Sequence, residues 1–113
     1  MLMNGQRRIF PLRGTRNTTG DGEAIKAALG ADKEIGIAGY RLQLEEDAAT
    51  AQRILLKGGS TVLDELFLKK AVEGILIWVP GYYVLSAGAN QPLYLNLAEA
   101  KQVNWTLWWY LID

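Results

Sequence analysis

Apolar and polar residues alternate most clearly near the end of the sequence, where the pattern predicts two strands. Every second position is apolar over 93–97 and again over 103–111. Successive side chains of a strand point to opposite faces, so this period predicts a sheet with one buried face. The second strand carries the larger apolar face: Val103, Trp105, Leu107, Trp109 and Leu111. No other segment offers as much apolar area, and we therefore expect it to be a central strand of the core.

The opposite face of this last strand changes character along its length. It is polar at first and then carries Trp108, Tyr110 and Ile112. Three large apolar residues in a row on one strand face indicate that something covers them. A loop of the same chain would do so, and so would a partner. Because Trp and Tyr are enriched as interface anchors, Trp108, Tyr110 and Ile112 are the candidate subunit interface.

The remaining strands follow from the same pattern and from turn residues between them. Besides the two above, the predicted strands are 23–29, 35–45, 51–57, 63–68, 75–79 and 82–85. The continuous apolar run 75–79 is typical of a strand buried on both sides. Segments 23–29 and 63–71 also suit short helices. About eight short strands with regular turns predict an all-β fold, a single-domain antiparallel β-sandwich over 23–113.

One predicted strand changes phase along its length. Ile35 and Ile37 fall on one parity, whereas Tyr40 and Leu42 fall on the other. Gly39 lies at the switch, and glycine tolerates the backbone geometry of a β-bulge. We therefore predict a bulge at Gly39.

The first 22 residues differ from the rest in charge. Residues 1–16 contain four arginines and no acidic side chain, with apolar residues and Pro11 among them. A frayed terminus is one interpretation. We favour an extended basic arm over 1–22 that docks on a neighbour, with Phe10 inserted and the arginines on carboxylates. The predicted contact residues are Arg7, Arg8, Phe10, Arg13 and Arg16.

Composition narrows the functional classes. The 113 residues include no cysteine and no histidine, and the formal net charge is zero. Disulfides, thiolate chemistry and histidine-based triads are thereby excluded, together with the commonest zinc ligand. Carboxylates such as Glu45, Asp47 and Glu65 could serve a small enzyme, but paired acids need a cleft that a chain of this length hardly affords. We expect no enzyme activity, no small-molecule substrate, no cofactor and no metal site.

Charge and hydropathy also limit the partners. Zero net charge gives no overall attraction to nucleic acid, and binding through the arm alone would be weak and salt-dependent. No secretory signal is recognisable at the start, and the apolar run 75–85 is broken at Pro80 and Gly81, too short for a bilayer. We expect neither a nucleic-acid nor a membrane partner.

A specific order of turns and strands begins at Lys33. A strand over 33–40 precedes the turn Lys-Gly-Gly-Ser-Thr at 57–61; an apolar strand then reaches Val-Pro-Gly-Tyr at 79–82, and 85–97 leads into the last strand. This order resembles small tailed-phage and prophage structural proteins, in which a Lys-x-Gly-Ser-Thr turn and a Gly-x-x-Leu-x-Leu-x-Leu strand recur. Within that group the chain looks most like a capsid decoration, or cement, protein.

The resemblance implies a jelly-roll type of β-sandwich that forms a homotrimer. Such a protein binds the major capsid protein on the outer surface of the virion, stabilises the shell and is made in the host cytoplasm. The basic arm lies outside the resemblance. The alternative is a tail, neck or fibre component with receptor or glycan contact, in which Trp78, Tyr82 and Tyr83 would stack on sugars.

Overall fold

The computed structural model describes residues 8–113 and confirms the all-β, single-domain prediction. Seven strands form two antiparallel sheets: β1 (Phe10–Arg16), β2 (Glu34–Leu44), β3 (Gln52–Gly58), β4 (Thr61–Leu68), β5 (Gly74–Trp78), β6 (Leu93–Leu97) and β7 (Val103–Ile112). The strand order is β1-β7-β2-β5 in one sheet and β4-β3-β6 in the other. The described residues form no helix, hence none that could cross a membrane. The jelly-roll arrangement that the resemblance implies stays a prediction.

One core lies between the two sheets. Its fully buried side chains come from both, as Ile37 and Leu42 of β2 and Ile54 and Leu56 of β3 show. Burying such side chains contributes about 1.5–3 kcal/mol each relative to exposure. β7 lies between β1 and β2, which confirms it as a central strand. We call the side of the four-stranded sheet that faces this core its inner face, and the opposite side its outer face.

The predicted bulge is confirmed. The register of β2 against β7 shifts between Ile37 and Gly39. The shift returns Tyr40 to the inner face, where Ile37 already lies, and both side chains are buried. The extra residue therefore keeps one long strand apolar towards the core on both sides of the bulge.

The strand count of eight is corrected to seven. Residues 23–29 are irregular and make one isolated bridge, between Lys26 and Leu93 of β6. Residues 82–85 lie in a turn region rather than a strand, and Ser86 bridges Gly36. The first segment lies beside β6 and the second leads to a bridge with β2. Their apolar residues therefore pack against existing strands without forming a β-ladder. Residues 63–68 belong to β4, which settles that segment as strand rather than helix.

The predicted arm contains a strand. β1 pairs with β7 along its whole length, from Phe10 opposite Trp109 to Arg16 opposite Val103. Phe10 and Leu12 alternate with outward residues, which suits an edge strand over the core. An edge position also tolerates Pro11. The arginines and the proline concealed this alternation in the sequence.

The apolar run at β5 is an edge strand and is not buried on both sides. It pairs only with β2, and Leu76 and Trp78 are 53% and 56% exposed. Ile75 and Ile77 pack against the core from the other side of the strand. In this protein the continuous apolar run is therefore an edge strand with apolar residues on both of its faces.

Candidate protein-binding surface

Two tryptophans meet on the outer face of the four-stranded sheet. Trp78 of β5 and Trp108 of β7 lie on opposite sides of Gly39 in register. Their ring centroids are 4.7 Å apart, with 37° between the ring planes. A Cβ atom on Gly39 would come within 2.5 Å of Trp78 Cε3. The glycine of the bulge thus leaves the room in which two indoles from different strands contact each other.

Further apolar residues lie close to Trp78 in the sequence. Leu76 lies two residues before Trp78 on the same face of β5. Tyr82 and Tyr83 follow in the turn after β5, where Tyr83 N–H donates to Pro80 O at 2.9 Å; they are 90% and 55% exposed. We call Leu76, Trp78 and Trp108 the tryptophan surface. Contiguous exposed apolar area of this kind marks binding sites in folded proteins.

A basic groove lies on the same face. Arg13 of β1 and Arg41 of β2 are both opposite Thr106 of β7, and the two arginines are exposed while Thr106 is buried. The groove has a volume of about 460 Å³. Arg41 Nη2 donates to Gln43 Oε1 at 2.7 Å.

Within residues 8–113, the charges of this groove have no ion-pair partner of opposite sign. Among residues 8–113, the ion pairs are Arg53 with Glu65 and Lys57 with Asp21, so neither groove arginine takes part in one. Guanidinium groups bind carboxylates and phosphates through paired hydrogen bonds. The outer face can therefore receive an acidic group beside a flat aromatic platform.

The three residues predicted as a subunit interface fall in different environments. Trp108 is partly exposed in the tryptophan pair. Tyr110 is 4% exposed, because its ring lies against Gly36, which has no side chain to keep it away. Tyr110 therefore packs within the chain, and its part in a subunit interface stays a prediction. Ile112 is partly exposed opposite Glu34, and a subunit contact through Trp108 and Ile112 stays a prediction.

The predicted capsid-contact residues are likewise dispersed. Arg7 lies outside the described residues. The Phe10 ring stacks on Trp109 with centroids 4.9 Å apart, so it fills its own sheet instead of a neighbour's pocket. The guanidinium carbon of Arg8 lies 5.1 Å from the centre of the Phe10 ring. Arg13 remains on the outer face, in the groove described above.

Arg16 has a structural role within the chain. Its guanidinium group donates to Gly20 O at 2.9 Å and to Leu95 O at 3.3 Å, and also to Thr18. Leu95 belongs to β6, so Arg16 joins the end of β1 to the other sheet. These hydrogen bonds hold the Arg16 side chain in place, and its contact with a neighbour stays a prediction.

Of the outer-face residues that were not predicted as an interface, the sequence contained a signal for Arg41 but none for Trp78. The phase change at Gly39 puts Arg41 on the outer face, beside Thr106 of β7. Trp78 was concealed in an apolar run whose edge position depends on strand order. Strand order is a property of the whole fold, and no local pattern reports it.

A second polar network lies on the three-stranded sheet. Lys57 Nζ donates to Asp21 Oδ1 at 3.0 Å, and Asn96 Nδ2 donates to the same oxygen at 2.6 Å. The hydrogen bond from Asn96, and then that from Lys57, hold the pKa of Asp21 below its ordinary value. A shallow pocket of about 430 Å³ adjoins this network, with Ser60 and Tyr94 in its wall. The two charged groups of this network, Lys57 and Asp21, form an ion pair with each other.

Residues 8–113 contain no candidate metal site, and no known relative indicates a function. Within residues 8–113, no three side chains of the metal-ligating acidic, histidine and cysteine types come together. The sequence matches no known protein family and no characterised protein.

Proposed function

We propose that this protein is a structural component of a phage virion, a decoration protein that binds the major capsid protein on the outside of the head. The order of turns and strands over 33–97 supports this class. The observation that carries the proposal is the pair formed by Trp78 and Trp108 on an exposed sheet face. Buried aromatic anchors supply much of the binding energy of protein interfaces.

The tryptophan surface suits attachment to an assembled shell because it is held rigid before binding. Each indole is restrained by the other and by a β-strand, so little side-chain freedom is lost on association. Arg13 and Arg41 add charge complementarity to acidic groups beside the aromatic contact. The expected counterpart is an exposed apolar patch of the capsid with carboxylates at its border.

Binding to shells tests the proposal. The major capsid protein of the phage or prophage that encodes this chain is assembled into shells and sedimented with the purified protein. We expect wild-type protein to sediment with the shells and Trp108→Ala to bind at least about tenfold more weakly, since the loss of a hot-spot anchor costs about 2 kcal/mol or more. Circular dichroism checks that the variant is folded.

The matched control is Phe67→Ala. Phe67 is 58% exposed on β4 of the other sheet, so its removal deletes an exposed aromatic ring outside the tryptophan surface. We expect unchanged shell binding. Wild-type protein that stays in the supernatant, or equal loss in both variants, would contradict the proposal.

A tail or fibre component with glycan contact is the second candidate, and the exposure of Tyr82 favours it. A side chain that is 90% exposed beside other aromatic residues is available to stack on a sugar ring. Titration with host surface oligosaccharides, monitored by tryptophan fluorescence, distinguishes the two functions. Saturable binding that Tyr82→Ala abolishes, without shell binding, would favour the tail component.

A further inference from the structure

The two sheets have four edge strands, and three of them are protected against pairing with other chains. Unpaired N–H and C=O groups at a sheet edge are a template for another strand, and proteins block them with proline, charge or a covering segment. β1 carries Pro11 and Arg13, and β4 carries Asp64 and Glu65. β6 is covered by residues 20–26, which bridge it at both ends.

Within the described part of the chain, the fourth edge, β5, has none of these devices. Its sequence, Gly-Ile-Leu-Ile-Trp, contains neither a charge nor a proline. Val79 N–H, just beyond the strand, donates to Ala38 O at 2.9 Å. Residues of an antiparallel ladder bond alternately to the two sides. The backbone groups of Gly74, Leu76 and Trp78 therefore point outward, away from β2.

Exposed apolar side chains are concentrated along this edge. Within residues 8–113, six of the ten large apolar residues that are exposed fall in the segment 72–84: Val72, Leu76, Trp78, Tyr82, Tyr83 and Val84. An open backbone edge and a dense apolar surface thus coincide in one segment. This combination is characteristic of a protein partner that adds a strand.

We propose that the partner is a second copy of this chain, paired antiparallel through β5 about a two-fold axis at Leu76. In this register Leu76 lies opposite the partner's Leu76, and Trp78 lies opposite the partner's Gly74. Each indole then covers a glycine, as Trp78 already does at Gly39. Ile75 meets the partner's Ile77 on the inner face.

The self-complementarity of the strand selects this register. Every outward N–H and C=O group of β5 has a partner in it, and the four strands of each copy join into one continuous sheet. A shift of one residue would bring outward groups opposite inward ones and would turn each side chain to the wrong face. The contact is isologous, so it closes after two copies.

The pairing does not rest on the proposed function, although both involve Leu76 and Trp78, and it differs from the trimer that the resemblance implies. Its test is the mass of the protein in solution, whereas the proposed function is tested by binding to shells with a variant of β7. Failure of one therefore leaves the other measurable.

The first experiment is light scattering behind a sizing column over a range of concentrations. We expect wild-type protein at twice the chain mass of 12.5 kDa. Leu76→Lys places two like charges opposite each other at the two-fold axis, and we expect dimerisation at least about tenfold weaker. Leu76 is 53% exposed in the single chain, so the variant should fold. The control Val62→Lys, at a residue 50% exposed on the β4 edge, should remain dimeric.

Hydrogen exchange then distinguishes strand pairing from a contact through side chains alone. In the wild type we expect slow exchange at the amides of Gly74, Leu76 and Trp78, and fast exchange there in Leu76→Lys. The amides of Ile75 and Ile77 should be slow in both, because they bond to β2. A wild-type monomer at all concentrations, a trimer, or a dimer whose Leu76 amide exchanges rapidly would overturn the proposal.

Discussion

Single residues decide where the aromatic side chains of the four-stranded sheet lie. Gly36 leaves room for the ring of Tyr110, and Gly39 leaves room for the contact between Trp78 and Trp108. A glycine opposite a large aromatic residue in register lets the ring lie flat on the sheet. One ring is thereby buried, whereas the other two form an exposed platform.

Gly39→Ala tests this role of glycine. The added methyl group would lie 2.5 Å from Trp78 Cε3 and 2.9 Å from Ile77 O, which is backbone and cannot move freely. We expect the indoles to separate and the free energy of unfolding to fall by about 1–3 kcal/mol. Near-ultraviolet circular dichroism reports the coupling of the indoles. Trp108→Ala should remove the same signal without the clash, and an unchanged spectrum in Gly39→Ala would disprove the contact.

A hydrogen bond between the sheets depends on one hydroxyl group. Tyr40 of β2 is 3% exposed and donates its O–H to Asp64 of β4. Burial, assisted by this carboxylate, raises the pKa of Tyr40 well above its ordinary value, so the donor stays protonated. We expect Tyr40→Phe to lower the unfolding free energy by about 1–3 kcal/mol, because Asp64 loses a buried donor.

Urea denaturation measures the effect of Tyr40→Phe. Tyr83→Phe removes the same atom from a side chain that is 55% exposed and should leave the midpoint unchanged. Equal midpoints for Tyr40→Phe and wild type would show that the bond contributes nothing net.

At the scale of elements, the connection between β6 and β7 carries the chain from one sheet to the other. Gln52 of β3 is fully buried and fixes this connection. Its Nε2 donates to Glu99 O at 2.7 Å and to Lys101 O at 2.9 Å, and its Oε1 accepts from Glu99 N at 2.8 Å. One amide side chain thus satisfies three backbone groups of a crossing that has no ladder of its own.

We expect Gln52→Ala to destabilise the fold by at least about 2 kcal/mol. The partly buried backbone groups Glu99 N–H, Glu99 C=O and Lys101 C=O would each lose a hydrogen-bond partner. Thermal unfolding followed by circular dichroism measures it. The exposed Gln91→Ala is the control and should change the melting temperature little. Similar melting temperatures for both variants would mean that water replaces the Gln52 side chain.

Elements defined by alternation were predictable from the sequence, and those defined by neighbours were not. β7 and the bulge of β2 followed from period and phase alone. β1 was missed because its apolar residues are separated by arginines and a proline, which an edge strand accepts. The sequence predicted a strand over 23–29, whereas in the structure this segment lies along β6 and forms one isolated bridge with it. The tryptophan surface required the order β7-β2-β5, which long-range pairing sets.

At the scale of the whole molecule, three carboxylates with lowered pKa values contribute to the response to acid. The backbone amides of Lys70 and then Lys69 donate to Glu73 and lower its pKa. Those of Ala49 and then Thr50 do the same for Glu99. With Asp21, these groups join segments that are distant in sequence or close a turn between strands.

The sign of the pH dependence follows directly. Each folded pKa lies below the ordinary value, which is 3.8 for Asp21 and 4.5 for both glutamates. The stability that they contribute is present above those values and is lost as the pH falls through the lower, folded pKa values. We expect a constant melting temperature from neutral pH down to about 5 and a decline below about 4.5. Glu99→Gln should reduce that decline, and a steeper decline in the variant would contradict the assignment.

The position of β7 between β1 and β2 has a consequence for how the protein is made. The ribosome delivers β1 first and β7 last among the described strands, yet the two are adjacent in the sheet. The three-stranded sheet and the pair of β2 with β5 use only strands that precede β7, but β1 pairs with β7 and has no strand to join before β7 is synthesised. Topologies dominated by distant pairings fold slowly and leave edges exposed meanwhile. β1 and β2 therefore cannot belong to one sheet until β7 has been synthesised and pairs with both of them.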